Sequence, residues 1–246
     1  TGLPIAFYSI DAATVSDPNN GHRHVVIELS PLLSGFYSLY TFGAGTLDAW
    51  AINSEFGDKA GGFWRPGDFQ KTVGSPASAR SIIAVGAHTT KTQWTDYSGV
   101  LRTKTDCGPL GAIACFSSLG PTRDGRTKPD ISAPGQMIAA PLSEAAIPNQ
   151  SQSRIMPGAR YLVIEGTSMA APHVTGAVAL MLQANPTLDY AGVLNALQTT
   201  ASRDSYTSTN PDPNTWGAGK LNAYAAVKAV AGAGPSADFT LSANPS

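Results

Sequence analysis

The segment of this 246-residue chain best equipped for chemistry is Glu165-Gly166-Thr167-Ser168-Met169-Ala170-Ala171-Pro172-His173-Val174. It reads as the end of an apolar strand, a Gly for a tight turn and a Ser that opens a helix. A Ser in that place holds its hydroxyl at the mouth of a sheet, and the free N–H groups of the first helical turn point to the same spot. The setting favours negative charge, so it suits a hydroxyl nucleophile whose product is a tetrahedral oxyanion. Gly166 and Ala170 let another segment approach closely. Pro172 is expected near the first turn, where a missing N–H costs least. Taken alone, Gly-Thr-Ser favours a plain helix cap, since many helices begin with Ser and no chemistry follows.

The elements that must hold this segment are legible as patterns. Residues 81–87 form a continuous apolar run, the mark of a strand buried on both faces. Residues 113–116 and 161–164 read as two more strands. A helix is expected over residues 168–183, with Ala171, Val174, Val178, Met181 and Leu182 along one side and Asn185-Pro186 as its stop. A second helix spans 190–199, with Leu188, Val193, Leu194 and Leu197 on its apolar face, and a third runs over 222–231. Residues 1–70 differ. Short runs rich in aromatic and β-branched residues at 5–10, 25–29, 35–40 and 47–52 alternate with turns at 17–21 and 43–45, which suggests antiparallel pairing in a sandwich or jelly roll. The expected organisation is a β-rich segment over 1–70, an α/β segment over 71–232, and a linker leading to the start of a further module over 233–246.

Composition narrows the function classes. Apolar residues make up 42% of the chain, enough for a sizeable core, whereas charged residues are only 13% against roughly 25% in an average soluble protein. The net charge is −1, and Lys and Arg form no stripe, which argues against a nucleic-acid or anionic-membrane partner. No stretch approaches the roughly 18 apolar residues of a membrane span. Cys107 and Cys115 lack zinc-ligand spacing and are either a local disulfide or two buried thiols; low charge and richness in small polar residues favour the oxidising, secreted alternative. Thr1-Gly2-Leu3-Pro4 has neither an initiator Met nor a leader pattern, and residues 239–242 begin a strand-like run. The chain is therefore expected to be an excerpt of a longer polypeptide.

The nine residues Gly166 to Val174 match, without a gap, the nucleophile motif of the subtilisin-like serine proteases. Residues 116–135, from Phe116-Ser117-Ser118 to Ala133-Pro134-Gly135, resemble the stretch that this family carries upstream. Val73-Gly74-Ser75-Pro76 followed by residues 82–87 is similar to an earlier strand region, and Gly217-Ala218-Gly219-Lys220-Leu221-Asn222-Ala223 resembles the last motif of the catalytic domain. The resemblance covers about 70–232. It implies part of a mostly parallel sheet flanked by helices, preceded by part of an antiparallel β insertion. It also implies a secreted or cell-surface endopeptidase acting on polypeptides, with Ser168 as nucleophile, the Ser168 N–H as oxyanion donor and Thr167 in support. Gly74 would sit beside the pocket for the residue preceding the cleaved bond; a plain turn Gly is the equal alternative. The chemistry needs no cofactor. Structural calcium is common in the family, held mostly by its N-terminal half.

A protease of this type needs an Asp and a His, in that order, before the Ser. The family's Asp-Thr-Gly and His-Gly-Thr-His strings do not occur here. Asp11 and His22 stand in the right order without those strings, and His22 and His24 read as a solvated surface loop. Asn53 lacks the Gly that precedes the family's oxyanion Asn. His173 lies on the nucleophile's own helix, turned away from the hydroxyl, and His88 reads as structural. Asp124 and Asp130 lack the alternating oxygen-ligand pattern of a calcium loop and are expected to be solvated or to cap strands. An α/β-hydrolase is excluded because no His follows at a distance. The Asp, His and oxyanion Asn are thus expected in a missing N-terminal half of the same protein, and the excerpt alone is expected to be inactive. The alternative is a catalytically inactive relative used as a scaffold or binding module.

Overall fold

The computed structural model describes residues 7–16, 23–31, 69–208 and 212–231. The chain divides into two units, residues 1–51 and 52–246. In the first, β1 (Phe7–Ser16) pairs antiparallel with β2 (Arg23–Pro31), Asp11 standing opposite Glu28 and Val15 opposite His24. His24 is therefore a strand residue rather than part of the expected loop, because the β-branched run from Val25 carries the strand back to Arg23. The expected strands at 35–40 and 47–52, the turn at 17–21, His22 and Asn53 lie outside the described residues, as does the linker beyond residue 231.

The second unit is α/β. Strand β3 (Val85–Thr89) is followed by a small hairpin, β4 (Gln93–Thr95) and β5 (Leu101–Thr103), and then by β6 (Ile131–Gln136), β7 (Ile138–Pro141) and β8 (Tyr161–Ile164). The helices are α1 (Thr167–Ala184), α2 (Tyr190–Thr199), α3 (Ser205–Ser208), α4 (Pro213–Trp216) and α5 (Ala223–Val230). Strands β3 and β6 pair in parallel, Val85 opposite Ile131. Both are almost wholly buried, as a continuous apolar run requires. Strand β3 begins at Val85 rather than 81. The Asp130 carboxylate accepts the Ala84 N–H at 2.7 Å, and the Asp130 N–H donates to the Ala84 carbonyl at 2.8 Å, which fixes the strand's start there.

The other expected strands settle differently. Residues 113–116 form only a single bridge, His88 to Ile113. The segment bonds to β3 through Thr89 N–H to Ala112 O and Ala114 N–H to Ala87 O, and a disulfide between Cys107 and Cys115 then turns it away. Strand β8 occupies its expected residues, but pairs antiparallel with β7 instead of extending the parallel sheet.

Helix α1 packs on β3, β6 and α5. It buries Ala170, Val174, Ala177 and Met181, one face of a 3.6-residue period. Of the side expected from the sequence, Ala171 and Leu182 are exposed instead, and Leu180 is 52% exposed. The helix is apolar around its circumference, so both sides offered a face. Asp189 and Asn222 cap α2 and α5 by accepting from the N–H groups of Gly192 and Ala225. The core between sheet and helices comprises Ala87, Ile131, Ala133, Val174, Met181 and Leu197 with their neighbours. Its small residues let α1 lie close to the sheet. Among the described residues no helix is long and apolar enough to cross a membrane.

His88 is the structural residue expected of it, 6% exposed in β3, with its ring 6.5 Å from that of Trp216. Burial, reinforced by the nearby Lys220 ammonium, lowers its pKa to about 4 from 6.5. The unfolded chain thus binds a proton that the folded chain excludes between those values, and stability falls as pH drops from 6.5 towards 4. The expected loss is about 3 kcal/mol, seen as a falling denaturation midpoint that a His88→Gln variant does not show.

Candidate active site

Gly166 occupies the N-cap of α1 with φ 148°, a conformation open to Gly and closed to side chains. Ser168 is therefore the second helical residue rather than the cap. It is exposed. The turn is docked on the sheet by the Gly166 N–H, which donates to Gly135 O at 2.9 Å, and is closed by the Met169 N–H to Gly166 O at 3.0 Å. Gly135 has no room for a side chain: a Cβ there would lie 2.5 Å from the Ala87 Cβ and 2.9 Å from Gly166 O. Gly135→Ala must push the Gly166–Met169 turn off β6. It is expected to cost about 1–3 kcal/mol in urea denaturation, with the helix start displaced.

Pro172 is the sixth residue of α1, one position further in than expected. Lacking an N–H, it cannot supply the i→i−4 bond to the carbonyl of Ser168. That carbonyl is left without its helical donor. His173 is exposed, and its Nδ1–H donates to Met169 O at 2.8 Å, so its ring is held by its own helix.

A cleft of about 210 Å³ opens beside the turn, lined among others by Val73, Gly74, Ala84, Val85, Pro129 and Thr167. Every lining residue is uncharged. Gly74 and Thr167 are thus brought to one cavity. Gly74 O also accepts from the Ser78 N–H at 3.0 Å, so the residue serves a turn as well. A Cβ at Gly74 would meet nothing within 4 Å, which leaves a side chain there free to enter the cleft space.

Two further residues that the motif did not single out, Glu165 and Lys104, meet just before the Gly166 turn. Glu165, immediately before Gly166, has its Oε1 3.3 Å from Lys104 Nζ and 3.8 Å from Arg154 Nη2. Burial works against the charge of Lys104, but its bonds to Glu165 and then to Asp106 outweigh that and raise its pKa. The only signal in the sequence was an acidic residue next to the turn in a chain poor in charge.

The other candidates have places of their own. Asp11 and His24 belong to the first unit, and their positions on the β1–β2 ladder are four rungs apart, about 13 Å along the strands. The Asp130 carboxylate caps β3 and pairs with Lys128, while Asp124 pairs with Arg126 and Arg80. With their oxygens so engaged, these two carboxylates do not fit a calcium site. Among the described residues no group of three or more His, Cys, Asp or Glu is placed to hold a metal.

The family model described as the subtilase family matches residues 58–234. Serine protease AprX of Bacillus subtilis (strain 168) is 34% identical over 157 residues, covering 64% of this chain and 32% of the relative. A CO(2)-response secreted protease of Arabidopsis thaliana is 36% identical over 132 residues, covering 49% and 17%. Among solved structures, fervidolysin from Fervidobacterium pennivorans, a keratinolytic enzyme related to subtilisin, is 29% identical with a TM-score of 0.43, over 63% of this chain and 20% of that one. The chain spans a third or less of the length of these curated relatives.

Proposed function

Because this chain belongs to the subtilase family, we propose that it carries the nucleophile of a secreted serine endopeptidase. The observation that supports this most directly is Ser168, exposed at the second position of α1, with Gly166 taking the cap. Ser168 Oγ attacks the scissile carbonyl and yields its proton to a His. The carbonyl oxygen becomes an oxyanion, which accepts from the Ser168 N–H in a turn kept in place by Thr167. Collapse expels the amine, which takes the proton from the His and leaves an acyl-enzyme. Water, deprotonated by the same His, then releases the acid and restores Ser168.

The His, the Asp that orients it and the Asn completing the oxyanion hole come from a segment of the same protein outside this chain. The exposed apolar side of α1, including Ala171, Leu180 and Leu182, is where that segment packs. Substrates are polypeptides, and the uncharged cleft at Gly74 and Thr167 takes the side chain preceding the cleaved bond. The reaction needs no cofactor, and structural calcium, where present, belongs to the other segment.

Incubation with a fluorophosphonate tests the reading. The 246-residue chain alone is expected to stay unlabelled and to hydrolyse no peptide, whereas with the N-terminal segment supplied the label is expected on Ser168. Efficient turnover by the chain alone, or an unlabelled Ser168 in the complete protein, overturns it.

A further inference from the structure

The nucleophile turn is gripped on two sides. On one, Gly166 bonds to the backbone of β6. On the other stands the β4–β5 hairpin, which is itself rigidly built: the buried Asp96 carboxylate accepts from the N–H groups of Ser98 and Val100 at 2.9 Å and from Arg102 Nε at 2.7 Å. Trp94 Nε1–H donates to Ser153 O at 2.8 Å, tying the hairpin to the turn that carries Arg154. A bridge between Ile155 and Leu162 joins that turn to β8. The hairpin closes with the Lys104 N–H on Thr92 O at 2.8 Å, and the Lys104 ammonium reaches Glu165. Hairpin, turn and β8 therefore converge on one carboxylate at the hinge between β8 and α1.

We infer that Lys104 and Glu165 form a latch through which the β4–β5 hairpin positions Ser168. Neither residue is placed to touch the reacting atoms; both are positioning residues. Glu165 is 16% exposed, so its pairing with Lys104 is screened far less than that of Asp106, which is 71% exposed. Its second oxygen, Oε2, is buried without a hydrogen-bond partner among the described residues. All the anchoring of this side chain thus runs through Oε1 and the two cations. A largely buried carboxylate held at one oxygen shifts when the nearer of its two cations is removed, and Gly166 is the next residue. Displacements of about 1 Å at a reacting group cost on the order of 10²-fold in rate.

The inference rests on the proposed role of Ser168 for its catalytic consequence, but not for its structural one, and the test has an arm for each. Hydrogen–deuterium exchange is measured on the full chain for Lys104→Met, Glu165→Gln and the double variant. Amides of residues 166–169 are expected to exchange roughly tenfold or more faster in each single variant, with no further gain in the double, because both changes open one latch. Wild-type exchange at these amides overturns the latch. So does additive acceleration in the double variant, or equal acceleration in α2 and α5, which marks general destabilisation. In the complete protease, kcat is expected to fall about ten- to a hundredfold in Lys104→Met with KM unchanged within about twofold, and Lys104→Arg to restore it. A change confined to KM overturns the positioning role. If the wild-type complete protein turns over no peptide, the nucleophile assignment fails, and the exchange arm still decides the latch.

Discussion

Replacing Ser168 with Ala in the complete protein is expected to lower kcat for peptide hydrolysis on the order of 10⁶-fold while leaving KM nearly unchanged. In the proposed cycle the Ser168 Oγ forms the acyl bond in the first half and gives it up in the second, so no neighbour substitutes for it. The methyl left behind fills less space than the hydroxymethyl, in an exposed position at the start of α1, so folding is not expected to suffer. Helix propensity even rises slightly with Ala. Loss of rate with unchanged thermal stability and unchanged inhibitor affinity is the signature to seek, by steady-state kinetics beside calorimetry. A variant that retains more than about a hundredth of wild-type kcat removes Ser168 from the chemistry.

The largest effect on stability is expected at Asp130. Its carboxylate accepts from the Ala84 N–H at 2.7 Å and from Lys128 Nζ at 2.6 Å, and that ammonium also donates to Ile82 O at 2.7 Å. The Lys128 side chain is 4% exposed and that of Asp130 10%. Asp130→Ala leaves a buried ammonium with a carbonyl in place of its counter-ion and opens the start of β3. Breaking such a pair from one side costs about 3–5 kcal/mol, a large share of the 5–15 kcal/mol that holds a typical domain together. Asp124 supplies the contrast. Its bonds to Arg126 and then Thr122 hold its pKa down to about 2, yet its side chain is 39% exposed and Arg80, its other partner, 78%. Solvent screening places Asp124→Ala in the range of about 0–1 kcal/mol. Urea midpoints of the two variants decide the matter; equal shifts would mean that the buried pair is not what fastens β3. Ala84 and Pro129 flank this pair and line the cleft, so an Asp130 variant that still folds should also lose cleft geometry.

What could be read from the chain divides along the distance over which each feature is decided. Helix α2 was legible in its extent because its apolar spacing is local, and the Asp189 cap found in the structure is just as local. Strand β8 was legible in extent but not in partner, since whether it pairs with β7 or joins the parallel sheet is settled by residues far away in the chain. The face of α1 was legible in part: Val174, Val178 and Met181 lie on the packed side as expected, but with Ala170, Ala171, Ala177 and Leu182 all apolar, the sheet took Ala170 and Ala177 in place of Ala171 and Leu182. The same holds at the site. Ser168 and Thr167 declare themselves within one unbroken string. Lys104 belongs to a hairpin elsewhere in the chain, and nothing near Glu165 announces that a cation will arrive there. Pro172 was placed one residue too close to the helix start because the cap fell on Gly166, ahead of the Ser.

A helix that is apolar on both flanks leaves grease in contact with water. One flank of α1 seals against its own sheet, while Ala171, Leu180 and Leu182 on the other stay exposed. Apolar surface left in water costs on the order of 25 cal/mol per Å², so the chain prepared by itself is expected to self-associate through that flank unless another surface covers it.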